Sequence, residues 1–146
     1  MKVIQQPLGP VQANCYLVME NHRALIIDPA DMLPNLKEIL NQHECTLDAI
    51  VLTHAHFDHI SGVDKIVNEF GCDVYLNPNE FDFLSDPDLN SSSAFYMDVT
   101  CNAKPKPLVE GKNEIADFEI EAIYCPGHSI GSTVLKIEDC LFTGDV

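Results

Sequence analysis

Along the first third of the chain the apolar positions gather into three short runs, Lys2 to Gln6, Cys15 to Met19 and Ala24 to Asp28. Turn signals at Gly9-Pro10 and Glu20-Asn21 separate them. Short strands at this spacing predict a meander. Leu33, Leu36, Ile39 and Leu40 then recur at helical spacing. They predict an amphipathic helix from Leu33 to His43, capped by Asp31 and carrying Pro34 in its first turn, where a missing N–H does no harm. Leu47 to Leu52 is a nearly continuous apolar run, the pattern of a strand covered on both faces. Ile60, Val63, Ile66, Val67 and Phe70 predict a second amphipathic helix that stops at Gly71, and Asp73 to Leu76 a further short strand. Strand, helix, strand, helix, strand in this order is α/β layering.

The second half is patterned differently. Asn77 to Lys106 holds Pro78, Pro87, Pro105 and the run Ser91-Ser92-Ser93. It reads as a short helix near Glu80 to Leu84 followed by a surface loop of a length that often serves function. From Leu108 onward strands return. Phe118 to Ile123 alternates apolar and acidic residues, and Thr133 to Ile137 with Cys140 to Thr143 predicts a hairpin turned at Glu138-Asp139.

Composition narrows the classes of function. A chain of 146 residues that is 46% hydrophobic supports one domain, 1–146. The net charge of −15, from 8 basic and 23 acidic side chains, repels phosphate backbones and anionic bilayers. Neither nucleic acid nor membrane is therefore an expected partner, and a small-molecule substrate is. Bound divalent cations would offset part of that charge. No apolar stretch approaches the roughly 20 residues of a membrane span. Met1 to Pro7 does not read as a secretory signal, so the expected location is cytoplasmic. The six cysteines are widely spaced and form no C-x-x-C pair. They are expected to be reduced, several of them as small core residues.

The chemistry lies in three short segments. His54 and His56 stand two apart at the end of the buried strand, so both imidazoles point to one face of extended backbone. Asp58 and His59 follow at the start of a helix, placing two more ligand-type side chains beside them. Imidazole and carboxylate together suit Zn²⁺, with Fe²⁺ and Mn²⁺ as alternatives. His128 sits in Cys125-Pro126-Gly127-His128-Ser129, where Pro and Gly fix a turn after a strand. Gly144-Asp145 puts an aspartate at the tip of an apolar strand, a common ligand position that is also ordinary turn chemistry.

Asp28, Thr53-His54-Ala55-His56-Phe57-Asp58-His59, Pro126-Gly127-His128-Ser129 and Thr143-Gly144-Asp145 together resemble the metallo-β-lactamase superfamily, in particular its glyoxalase II-like (hydroxyacylglutathione hydrolase-like) branch. The resemblance implies an αββα sandwich with a site for one or two Zn²⁺ at one edge of its sheets. It implies that His54, His56 and His128 hold one metal, that Asp58 and His59 hold a second, and that Asp145 bridges them. Asp28 would orient a ligand from behind; capping the turn at Pro29 is its equal alternative. The implied activity is hydrolysis of a thioester or related carbonyl by water activated at the metals, with Asp58 also orienting that water. A lactone or β-lactam hydrolase, a mononuclear-iron persulfide dioxygenase and an inactive metal-binding fragment are the other readings of the same motifs. The family pattern continues beyond the bridging aspartate with further strands, a helix and one more histidine. The expectation is therefore a sandwich incomplete in its C-terminal half, self-associating through an open sheet edge. His22 and His43 read as surface residues.

Overall fold

A computed structural model of the chain describes residues 1–145. Among these residues ten strands form two sheets. The first has six strands in the order β1 (Lys2–Leu8), β2 (Ala13–Glu20), β3 (Arg23–Ile27), β4 (Thr46–Val51), β5 (Asp73–Leu76) and β6 (Lys106–Pro107). The meander β1-β2-β3 is antiparallel, and β3 to β6 are parallel. Parallel neighbours need crossovers. These are α1 (Leu36–Gln42) between β3 and β4, and α2 (Phe57–Ile60) with α3 (Val63–Phe70) between β4 and β5. The second sheet is antiparallel, in the order β10 (Cys140–Phe142), β9 (Thr133–Ile137), β8 (Phe118–Tyr124) and β7 (Gly111–Ile115).

The near-continuous apolar strands are explained by two cores, one on each face of the first sheet. Cys15, Leu17 and Met19 of β2, Ala24 and Ile26 of β3, and Leu47 and Ile50 of β4 pack with Leu36, Leu40, Ile60, Val63 and Ile66 of the helices. The alternate residues Val18, Leu25, Ile27, Ala49 and Val51 meet Ile115, Phe118, Ile120, Ala122, Leu135, Ile137 and Phe142 of the second sheet. Each fully buried Leu or Ile contributes about 1.5–3 kcal/mol relative to exposure. The outer face of the second sheet carries Lys112, Glu119, Glu121, Ile123, Lys136 and Leu141 in solvent. The described residues thus supply a helical layer and two facing sheets of the αββα arrangement.

Three details differ from the expectation. The first helix begins only at Leu36, after Asn35 in the left-handed region. Proline disfavours the helical conformation in the residue before it, so Leu33-Pro34 does not extend the helix. Asp31 caps nothing in α1; its Oδ1 accepts from the N–H of Met32 (2.8 Å) and from Lys65 Nζ (2.7 Å). The second helix is split, because the N–H of Gly62 donates to the carbonyl of Pro29 (2.8 Å) instead of to the preceding turn. Gly71 does end α3, in the left-handed region. The β7-β8 hairpin turns through Ala116 and Asp117, both at positive φ, with no Gly or Asn to announce it.

All six cysteines are free. Cys15, Cys72 and Cys101 are core residues whose thiols burial pushes up, to about 11 for Cys72 and about 12 for Cys101, so they are poor nucleophiles. Among the described residues no helix is long and apolar enough to cross a membrane.

Candidate metal centre

The loop leaving β4 carries the first four donors to the C-terminal edge of the parallel strands, where an open α/β sheet places its ligands. His54 is buried, His56 and Asp58 are half-buried, and His59 is buried within α2. The turn between β8 and β9 brings His128, and the turn after β10 brings Asp145. Ligand atoms of His54, His56 and His128 lie within 4.8 Å of one another, as do those of Asp58, His59 and Asp145. His56 Nδ1 and His128 Nε2 are 3.0 Å apart. Asp145 Oδ2 stands between the two groups, 3.1 Å from His59 Nε2, 3.3 Å from His128 Nε2 and 3.5 Å from His54 Nε2. All six residues singled out from the sequence thus converge, while His22 and His43 lie elsewhere.

Asp28 organises this edge from behind. Its Oδ1 accepts from the N–H of Thr53 (2.8 Å), and its Oδ2 accepts from Thr53 Oγ1 (2.5 Å) and His59 Nδ1 (2.9 Å). Thr53 has one hydroxyl proton, which it gives to Asp28. Its oxygen, 3.1 Å from His54 Nδ1, therefore accepts from that nitrogen. His54 and His59 both use Nδ1 as donor and turn Nε2 toward the centre. His54 Nε2 is buried with no hydrogen-bond partner among the described residues. Gly144 makes the approach of Asp145 possible: it has φ +57°, and a Cβ there would lie 2.5 Å from Thr53 Oγ1.

The electrostatics follow from burial and carboxylates. Burial lowers His54 to about 3, against the attraction of Asp28. Burial, then the neighbouring His128, also lowers His56. Burial acts on His59 in the same sense but is outweighed by Asp28, Asp58 and Asp145, which raise it to about 9. Two imidazoles held toward the neutral form, His54 with an orphaned buried nitrogen, next to carboxylates that favour positive charge, fit a bound metal cation.

Three features were not visible in the sequence. Glu80, fully buried in the 3₁₀ helix Pro78–Ser85, joins the two histidine loops. Asn90 anchors the long loop: its side-chain amide donates to the carbonyls of Phe83 and Val99, and its own carbonyl accepts from the N–H of Phe57 at the start of α2. That loop also places Phe95 beside Phe57 (ring centroids 5.1 Å). With Val11, Ser91, His56, Asp58, His128 and Asp145 they line a cleft of about 300 Å³ over the site. The exposure of Phe95 to the cleft has no periodic signature, and Glu80 is one of many acidic residues.

Fold and site together define a class. The chain belongs to the metallo-beta-lactamase superfamily, whose family profile matches residues 8–146. Among particular relatives, it is 38% identical to the probable metallo-hydrolase YqgX of Bacillus subtilis, over the whole of this chain and 71% of that protein. It superposes on the crystal structure of the BLEG-1 B3 metallo-beta-lactamase with a TM-score of 0.88 and 36% identity, covering 97% of this chain and 71% of that one. The crystal structure of TTHA1623 in a di-iron-bound form gives a TM-score of 0.77 and 32% identity, covering 98% and 72%. The chain therefore spans about seven-tenths of the length of these relatives.

Proposed function

We propose that the six side chains hold two metal ions and that the cleft above them hydrolyses a thioester or related carbonyl substrate. The observation that carries this reading is Asp145 Oδ2, which faces nitrogens from both donor groups at 3.1–3.5 Å. His54, His56 and His128 would hold the first ion, Asp58 and His59 the second, with Asp145 shared. The donor set suits Zn²⁺, and Fe²⁺ is an alternative in keeping with the di-iron form of one relative. When bound, such ions polarise a carbonyl and bring the pKa of water toward neutrality.

The remaining work falls to the chain. Asp28 and Thr53 fix the tautomers of His59 and His54, so that neither ring must reorient to accept a cation. Asp58 lines the cleft next to His56, Asp145 and His128, where its carboxylate can accept a hydrogen bond from the attacking water and orient it. Val11, Phe57 and Phe95 form an apolar wall that suits an acyl group and excludes bulk water from it. The cleft lining holds no Lys or Arg among the described residues, which favours an uncharged acyl group.

The test is a panel of thioesters, lactones and β-lactams assayed with the Zn²⁺- and Fe²⁺-loaded protein and with His56→Ala. Thioester hydrolysis lost in the variant is expected. Turnover confined to lactones or β-lactams would move the substrate class on the same site. One iron per chain with oxygen consumption would replace hydrolysis by persulfide oxygenation. Activity that is absent, or equal in His56→Ala, would remove the catalytic reading.

A further inference from the structure

Glu80 has no side-chain partner of opposite charge among the described ion pairs and is nonetheless completely buried. Its carboxylate is saturated by donors from two distant segments. Oε1 accepts from the N–H of Ala55 (2.6 Å), the residue between His54 and His56. Oε2 accepts from Ser129 Oγ (2.5 Å) and from the N–H of Gly131 (2.6 Å), in the turn that carries His128. One carboxylate thus ties together the two loops that supply the first donor group. The neighbouring contacts are built for it. A Cβ on Gly131 would lie 2.7 Å from Glu80 Cγ, so the chain is bare where the carboxylate enters. Asn77, at the start of the same 3₁₀ helix, caps it by accepting from the N–H of Asn79 (3.0 Å) and donates to the carbonyl of Gly131 (3.3 Å).

We infer that Glu80 is a positioning residue for the first metal: it sets the separation of His54 and His56 from His128 and so the geometry of that donor group. The inference rests on the metal-binding reading above but concerns a residue outside the donor set. An amide cannot replace the carboxylate. All three partners donate, and the NH₂ of a glutamine would face at least one of them donor to donor. Other ties between the loops remain in that variant, including the N–H of Thr133 on the carbonyl of Thr53 (2.8 Å).

The test uses Co²⁺ as the probe, titrated into the metal-free chain and followed by its visible absorption, with thermal unfolding of the metal-free protein in parallel. Glu80→Gln is expected to weaken the first equivalent of Co²⁺ by about 10- to 100-fold and to change its absorption bands. Ser129→Ala removes one of the three donors while leaving Glu80 in place. It is expected to shift both readouts in the same direction by less, and it decides the question if Glu80→Gln does not fold. Wild-type affinity and spectrum in Ser129→Ala and in any folded Glu80→Gln, whatever their melting temperatures, would overturn the inference. Failure of the wild-type chain to bind Co²⁺ would instead overturn the two-metal reading, and this one with it.

Discussion

At Asp28 a single carboxylate meets three donors, and each does something different. One fixes the backbone at Thr53, one sets the hydroxyl that orients His54, and one holds the ring of His59. Asp28 itself adopts φ +55°, a conformation that aspartate tolerates better than most residues. Asp28→Asn keeps the shape but must offer an NH₂ to one of these donors. It is expected to lower the affinity for the second equivalent of Zn²⁺ by about 10- to 100-fold, measured by competition with a chromogenic chelator. Unchanged affinity would show that His59 is held by packing alone. The ligand-type residues were legible in the sequence because their chemistry is written in type and spacing: His54 and His56 two apart, Asp58 and His59 one turn on, His128 after Pro-Gly. The residues that orient them were less so. Asp28 stood equally for a turn cap, and Glu80 lay in a segment whose pattern marks only a short helix. A buried carboxylate is recognised by its partners, and those are distant in sequence.

Among the elements, the strands were read best and the helices least well. β3 and β4 are apolar throughout because a core lies on each face, and a continuous run says this directly. Helical periodicity in Ile60 to Phe70 was real, since the buried residues do share a face, but it could not show the break between α2 and α3. That break depends on a contact with the loop after β3. Gly62 donates to Pro29, and a Cβ on it would lie 2.5 Å from the carbonyl carbon of Asp31. Backbone cannot retreat as a flexible side chain can. Gly62→Ala is therefore expected to destabilise the metal-free protein by about 1–3 kcal/mol in urea unfolding, as overpacking does elsewhere. A midpoint equal to wild type would mean that the loop at Asp31 yields freely. The break ends the short helix that carries Asp58 and His59.

Across the described residues as a whole, the helical layer and two facing sheets leave one face of the second sheet in solvent. β10 pairs only with β9 among the described residues, and Leu141 beside that edge is 60% exposed. An unpaired edge strand flanked by exposed apolar side chains is a template for a second copy. Sedimentation velocity is expected to show concentration-dependent self-association of this 146-residue chain that Leu141→Lys reduces. A monomer at every concentration would contradict it. The acidic balance of the chain acts at this scale too, favouring uptake of cations at the edge where carboxylates and imidazoles meet. Metal content decides whether that edge holds ions. After dialysis against Zn²⁺ and removal of excess, the wild-type chain should retain one tightly held ion and a second, weaker one, and a His56→Ala, His128→Ala double variant should lose the tight one. Zinc content at the level of a chelator-stripped control, or equal in the wild type and the double variant, would contradict it.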